Sequence, residues 1–143
     1  MMRPTLACLP LLLVSCTPAD GPDGPPILVS NVVVTAASRD MPMAAAYLDF
    51  SNRSGETVRI TSVTSPNYER VEMHETTIED GIARMRRIDS VQIPDGETMR
   101  FERGGLHLML MRPVDDADQV TLNFYQQDLL VISVSAAFAR PTE

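Results

Sequence analysis

The stretch GGLHLMLMR (104–112) alternates without a break. Leu106, Leu108 and Leu110 fall on one side, His107, Met109 and Met111 on the other. Period-two alternation is the signature of a β-strand with unlike faces. A leucine face needs a core. The opposite face, an imidazole followed by two thioethers, needs a different explanation.

The same period recurs on both sides of this stretch. AAYLDFSN (45–52) alternates, ILVSNVVVTAA (27–37) is β-branched, and TVRITSVTS (57–65), QVTLNFYQ (119–126) and LLVISVSAAFA (129–139) read as further strands. YERVEMHETT (68–77) and IARMRRID (82–89) flank EDG, and ETMRFER (97–103) precedes the opening stretch. Ser54-Gly55, Ser65-Pro66-Asn67, Asp80-Gly81, Pro94-Asp95-Gly96 and Asp115-Asp116 punctuate them. No helical periodicity competes. The pattern predicts an all-β fold: a compact antiparallel sandwich or barrel of about eight or nine short strands over residues 27–143.

The start of the chain reads differently. Arg3 is followed by the apolar run LACLPLLLV (6–14), far short of the roughly 18 apolar residues that span a bilayer. LVSC (13–16) then resembles a bacterial lipoprotein signal, which predicts a signal peptide over 1–15 and a lipid on Cys16. An ordinary secretory signal cut nearby is the alternative. The Pro-, Gly- and Asp-rich segment after Cys16 predicts a tether over 16–26. The expected location is periplasm-facing, on a membrane and with the outer membrane favoured.

Composition excludes several functions. The net charge is −7, and all twelve basic residues are arginine. Such a chain is poorly suited to gripping phosphate backbones, so no nucleic-acid partner is expected. Cys8 and Cys16 both precede the folded part. The domain therefore has no thiol for a disulfide, a thiolate-ligated zinc or a cysteine nucleophile. No Ser-His-Asp set or paired-carboxylate set emerges, and no catalytic residue is expected.

The chain has only two histidines, His74 and His107. His107 and Met109, two apart on a strand, share a face about 6.6 Å apart along the chain. If 78–81 form a four-residue loop, His74 faces Met85 across a hairpin, whereas a three-residue loop would shift the pairing by one. Each residue alone has an ordinary reading: a hydrogen-bonded histidine, or a methionine filling the core. Together, two imidazoles and two thioethers make a soft, neutral donor set that favours Cu(I) over hard cations. Without thiolate, a blue-copper electron-transfer centre is excluded. Affinity should fall as pH drops through the ordinary histidine range near 6.5, because only neutral imidazole binds metal.

Of the remaining methionines, Met73 should face the core, Met111 packs or assists, and Met41 and Met43 lie in a Met-rich segment suited to covering the site or docking. Gly104-Gly105 is expected to form a bulge before the strand, the alternative being a close backbone approach near the site. Glu72, Glu75 and Glu102 are placed to set the local field.

The spacing His74, ten residues, Met85, twenty-one residues, His107, one residue, Met109 resembles the signature of the periplasmic copper chaperones called PCu(A)C. MHET around His74 and GGLHLML around His107 are similar too. The resemblance implies a cupredoxin-like β-sandwich and one Cu(I) on His74, Met85, His107 and Met109. It also implies transient contact with a copper-accepting protein such as the binuclear copper subunit of cytochrome oxidase. The His- and Met-rich tail of some members is missing here. Copper sequestration without delivery uses the same ligands, and a lipoprotein domain with no metal is the remaining alternative.

Overall fold

A computed structural model describes residues 25–36 and 42–139. The predicted signal segment, Cys16, most of the tether and Met41 lie outside the described residues. Eleven strands run through the rest: β1 (Ile27–Ala36), β2 (Met43–Asn52), β3 (Val58–Ile60), β4 (Ser62–Thr64), β5 (Tyr68–Glu79), β6 (Ile82–Arg87), β7 (Val91–Ile93), β8 (Thr98–Phe101), β9 (Leu106–Pro113), β10 (Gln119–Gln126) and β11 (Leu129–Ala139). The all-β expectation is borne out, with more strands than expected. The run 57–65 is cut at Thr61, whose N–H donates to Tyr125 O at 2.9 Å, while β3 and β4 join different sheets. Strand β7 was not anticipated.

Nine strands form one ladder in the order β4-β10-β11-β1-β2-β9-β5-β6, with β8 also pairing β2. Strands β3 and β7 form a separate ribbon. Pairing is antiparallel except between β1 and β11, which meet in parallel at Val34 and Phe138. The ladder folds over on itself, so that Phe50 of β2 meets Phe124 of β10 edge to face at 5.5 Å between centroids. That geometry suits the ring quadrupoles. Ile60 and Ile93 of the ribbon complete this core, both fully buried.

Strand β1 reaches the core on two parities. Val29 and Val34 are both buried, because a bulge between Ser30 and Val33 changes the register. Asn31 holds the bulge in the left-handed region (φ 53°) and donates to Asp49 Oδ2 at 2.7 Å. Asparagine tolerates this conformation better than most residues.

Strand β2 ends on Asn52, a polar side chain with no exposure. Its amide donates to Glu56 O at 2.7 Å and to Ile93 O at 2.8 Å. Its carbonyl accepts from Ser54 N at 3.0 Å and Ser54 Oγ at 2.7 Å. One side chain thus ties the large sheet to the ribbon and shapes the intervening turn.

The β5–β6 connection corrects the hairpin expected from sequence. Glu79 pairs with Ile82, leaving only Asp80 and Gly81 in the turn, with φ of 53° and 77°. Positive φ at both central positions marks the type I′ geometry that Asp-Gly favours. The loop has two residues rather than four, so His74 opposes Arg87, and Met85 opposes Thr76. Gly81→Ala places a Cβ in the left-handed region at roughly 1 kcal/mol. The expected result is a Tm lower by about 4 °C in a thermal melt.

Candidate metal centre

Strands β2, β9, β5 and β6 are consecutive in the ladder and carry the site on the face away from the core. Leu108 and Leu110 of β9 are fully buried on the core side, and Met73 of β5 joins them, as expected. Alternation then sends His107, Met109 and Met111 outward, together with Glu72, His74 and Thr76 of β5. The opening stretch has two chemistries because its strand has a core on one side and the site on the other.

The register decides which of these residues meet. His74 and His107 are directly opposed on β5 and β9, Glu72 opposes Met109, and Ala45 of β2 flanks Met109 on the other side. The imidazoles of His74 and His107 lie edge to face, 5.9 Å between centroids. Met85 sits diagonal to His74, two pairs further along the hairpin and on the same face. The corrected loop moves it by two residues, so it keeps the face on which it was expected. Diagonal neighbours lie about 7–8 Å apart, within reach of a long side chain. All four sequence-predicted residues therefore occupy one patch of one face.

They differ in burial. His107 is 4 % exposed and Met85 57 %, whereas His74 and Met109 are half-buried. His107 is covered although it points away from the core. The Tyr47 ring lies 6.4 Å from it, and Arg103 stacks on Tyr47 at 5.3 Å. The Gly104-Gly105 expectation needs correction: this is a turn, with Gly104 at φ 80° and Gly105 N–H donating to Glu102 O at 3.1 Å. The turn brings the Gly105 carbonyl to the site, where it accepts from Thr76 N–H at 3.0 Å.

Hydrogen bonding fixes the protons on both rings. The Gly105 carbonyl only accepts, and His107 Nδ1 lies 3.0 Å from it. In the neutral ring Nδ1 therefore carries the proton and Nε2 the lone pair. His74 shows the reverse. Its Nε2 lies 3.0 Å from Glu72 Oε2, so Nε2–H donates to the carboxylate. His74 Nδ1 is buried with no hydrogen-bond partner. A buried nitrogen lone pair with nothing to accept is costly unless something binds it.

Glu72 is held as the anion. The hydrogen bond from His74 keeps its carboxyl below the usual carboxylate range, against the upward push of burial, with further help from Arg87 and Arg70. Both guanidinium groups approach Glu72 Oε1 at 3.5 Å. Among the described residues no three His, Cys, Asp or Glu side chains group as a metal site. Met85 and Met109 put two thioethers on the same face as the two imidazoles. Met43 opposes Met111 on the same face, one row beyond Met109, with both side chains half-buried.

Sequence reasoning singled out the four donors and noticed Glu72, but missed Tyr47, Arg103 and the Gly105 carbonyl. Alternation in AAYLDFSN did place Tyr47 opposite Leu48. That it covers His107 depends on how β2 pairs with β9, which periodicity does not give.

Residues 27–137 match the family model described as "Putative lipoprotein LpqE-like". The chain belongs to the LpqE-like family. A relative from Leifsonia xyli subsp. xyli (strain CTCB07), "Putative lipoprotein Lxx21020", is 32% identical, the match covering 75% of this chain and 68% of the relative. The LpqE-like fold is also that of solved PCuAC domains. The copper-bound PCuAC domain from PmoF2 superposes with a TM-score of 0.62 at 19% identity, over 82% of this chain and 95% of that one. Apo-DR1885 from Deinococcus radiodurans gives 0.59 at 23% identity, over 99% and 97%. Its CuI form gives 0.59 at 24%, over 75% and 74%. The cupredoxin-like sandwich expected from the PCu(A)C resemblance is borne out.

Proposed function

We propose that this protein is a Cu(I) carrier of the cell envelope, anchored through a lipid on Cys16, that takes up one ion on His74, Met85, His107 and Met109 and passes it to an acceptor. The observation that carries this reading is the buried, partnerless Nδ1 of His74, beside the His107 ring and on a face shared with two thioethers. Both nitrogens are uncharged donors and both sulfurs are soft, a set that suits a monovalent d¹⁰ ion. The copper-bound and CuI structures of the same fold support the same reading. So do the lipoprotein names of the family and of the Leifsonia relative.

Delivery to the binuclear copper site of cytochrome oxidase is the finer part of the proposal. The experiment mixes Cu(I)-loaded whole chain with an apo oxidase copper domain under reducing conditions and follows the metal on each protein after separation. One Cu(I) per chain by chelator competition, and its movement to the acceptor, are the expected results. Binding without transfer identifies a buffer instead. No binding returns the protein to a lipoprotein domain with a different ligand.

A further inference from the structure

The two histidines are presented as opposite tautomers, and a carboxylate that is not itself a donor to the metal sets one of them. The geometry points to Glu72 as the positioning residue that makes His74 bind Cu(I) through Nδ1 while His107 binds through Nε2. This rests on the copper reading and adds what that reading leaves open: which nitrogen of each ring holds the ion, and why.

Glu72 and His74 are two apart on β5 and share a face, so the carboxylate reaches the imidazole without distorting the strand. Glu72 Oε2 takes the Nε2–H of His74 at 3.0 Å. With that proton fixed, the lone pair of the ring is on Nδ1, the buried atom without a partner. Glu72 Oε1 is engaged by Arg70 Nε and Arg87 Nη1, each at 3.5 Å. Arg70 comes from the same strand and Arg87 from β6, where it opposes His74. The carboxylate is thus clamped from two sides. Its charge is balanced by the arginines, so it can orient the ring without adding a hard anionic ligand to a soft site. His107 needs no such residue, because the Gly105 carbonyl performs the same task through the backbone. Carboxylates and carbonyls that take the second N–H of a metal-binding histidine fix the ring and raise its basicity, and their loss typically weakens metal binding 10–100-fold.

The test uses the whole chain with ¹⁵N-labelled histidine. Only His74 and His107 contribute signals, and His107 serves as the internal control. In the metal-free protein, long-range ¹H–¹⁵N spectra should show His74 protonated at Nε2 and His107 at Nδ1. Cu(I) should then shift His74 Nδ1 and His107 Nε2. Glu72→Leu should turn His74 into a tautomer mixture, leave His107 as it was, and weaken Cu(I) binding 10–100-fold in chelator competition. Glu72→Gln keeps an acceptor for Nε2–H and should restore the Nε2-protonated ring. Its affinity should fall between the other two, because the arginines lose their counter-charge. Finding His74 protonated at Nδ1 in the metal-free wild type overturns the inference, as does an E72L protein with unchanged tautomer and affinity. A Cu(I) shift at His74 Nε2 overturns it while leaving the copper reading intact. No Cu(I) shift at either ring removes both.

Discussion

Met109→Leu should weaken Cu(I) binding by about a hundredfold or more while leaving the fold in place. Leucine and methionine are close in volume, and such exchanges usually cost under about 1.5 kcal/mol of stability. The thioether, however, is lost entirely. A hundredfold corresponds to about 2.7 kcal/mol of binding free energy. His107→Ala should cost at least as much, because it removes the most buried of the four donors and leaves the Gly105 carbonyl with one donor fewer. Met85→Leu should cost less, about tenfold. Its side chain is more than half exposed and must give up rotamer freedom on binding, a penalty of up to about 2 kcal/mol that offsets part of the gain from its sulfur. Chelator competition on the three variants, with thermal melts alongside, checks the ranking. Equal affinity in all three and in the wild type would remove the proposed ligand set.

Asn52→Leu should be strongly destabilising although it lies outside the site. Leucine is similar in size, so it leaves little cavity, yet it removes the side-chain donor to the carbonyls of Glu56 and Ile93 and the acceptor of Ser54 N–H, leaving Glu56 O only Ser54 Oγ at 3.2 Å. Buried polar groups left unpaired cost about 1–3 kcal/mol each. Partial access to solvent for Glu56 and Ser54 keeps the expected total near 3 kcal/mol, a fall in Tm of roughly 10 °C. Asn52→Asp tests the mechanism further: it keeps the acceptor for Ser54 but sets a carboxylate against two carbonyl oxygens, and should be no better than leucine. A melt within about 2 °C of wild type for both variants would show that the ribbon is held by its apolar contacts alone.

Much of the site was legible because a strand's side-chain period is two. His107 and Met109 could be placed on one face from their spacing alone. Met85 survived a wrong loop length because an error of two residues preserves the face. An error of one would have put it on the other. The type I′ turn was itself readable from Asp80-Gly81, the strongest short hairpin signal, and reading it would have given the register. Other features depend on pairings between distant strands. That His107 opposes His74 is a fact about β9 and β5, thirty-three positions apart in sequence. The bulge at Asn31 conceals the alternation of β1, and the kink at Thr61 merges two strands of different sheets into one sequence run. In the sequence Asn52 is simply the last residue of AAYLDFSN, and only the arrival of Ile93 beside it makes it a lock between layers.

The four proposed donors are not equally anchored to the molecule. Three stand on strands flanked on both sides, whereas Met85 stands on the last strand of the ladder, every residue of which is exposed. With copper bound as proposed, an incoming sulfur or nitrogen would displace Met85 first, before either imidazole has to move. In the proposed role, exchange begins at the rim and proceeds inward, and the direction of departure is built into the order of the strands.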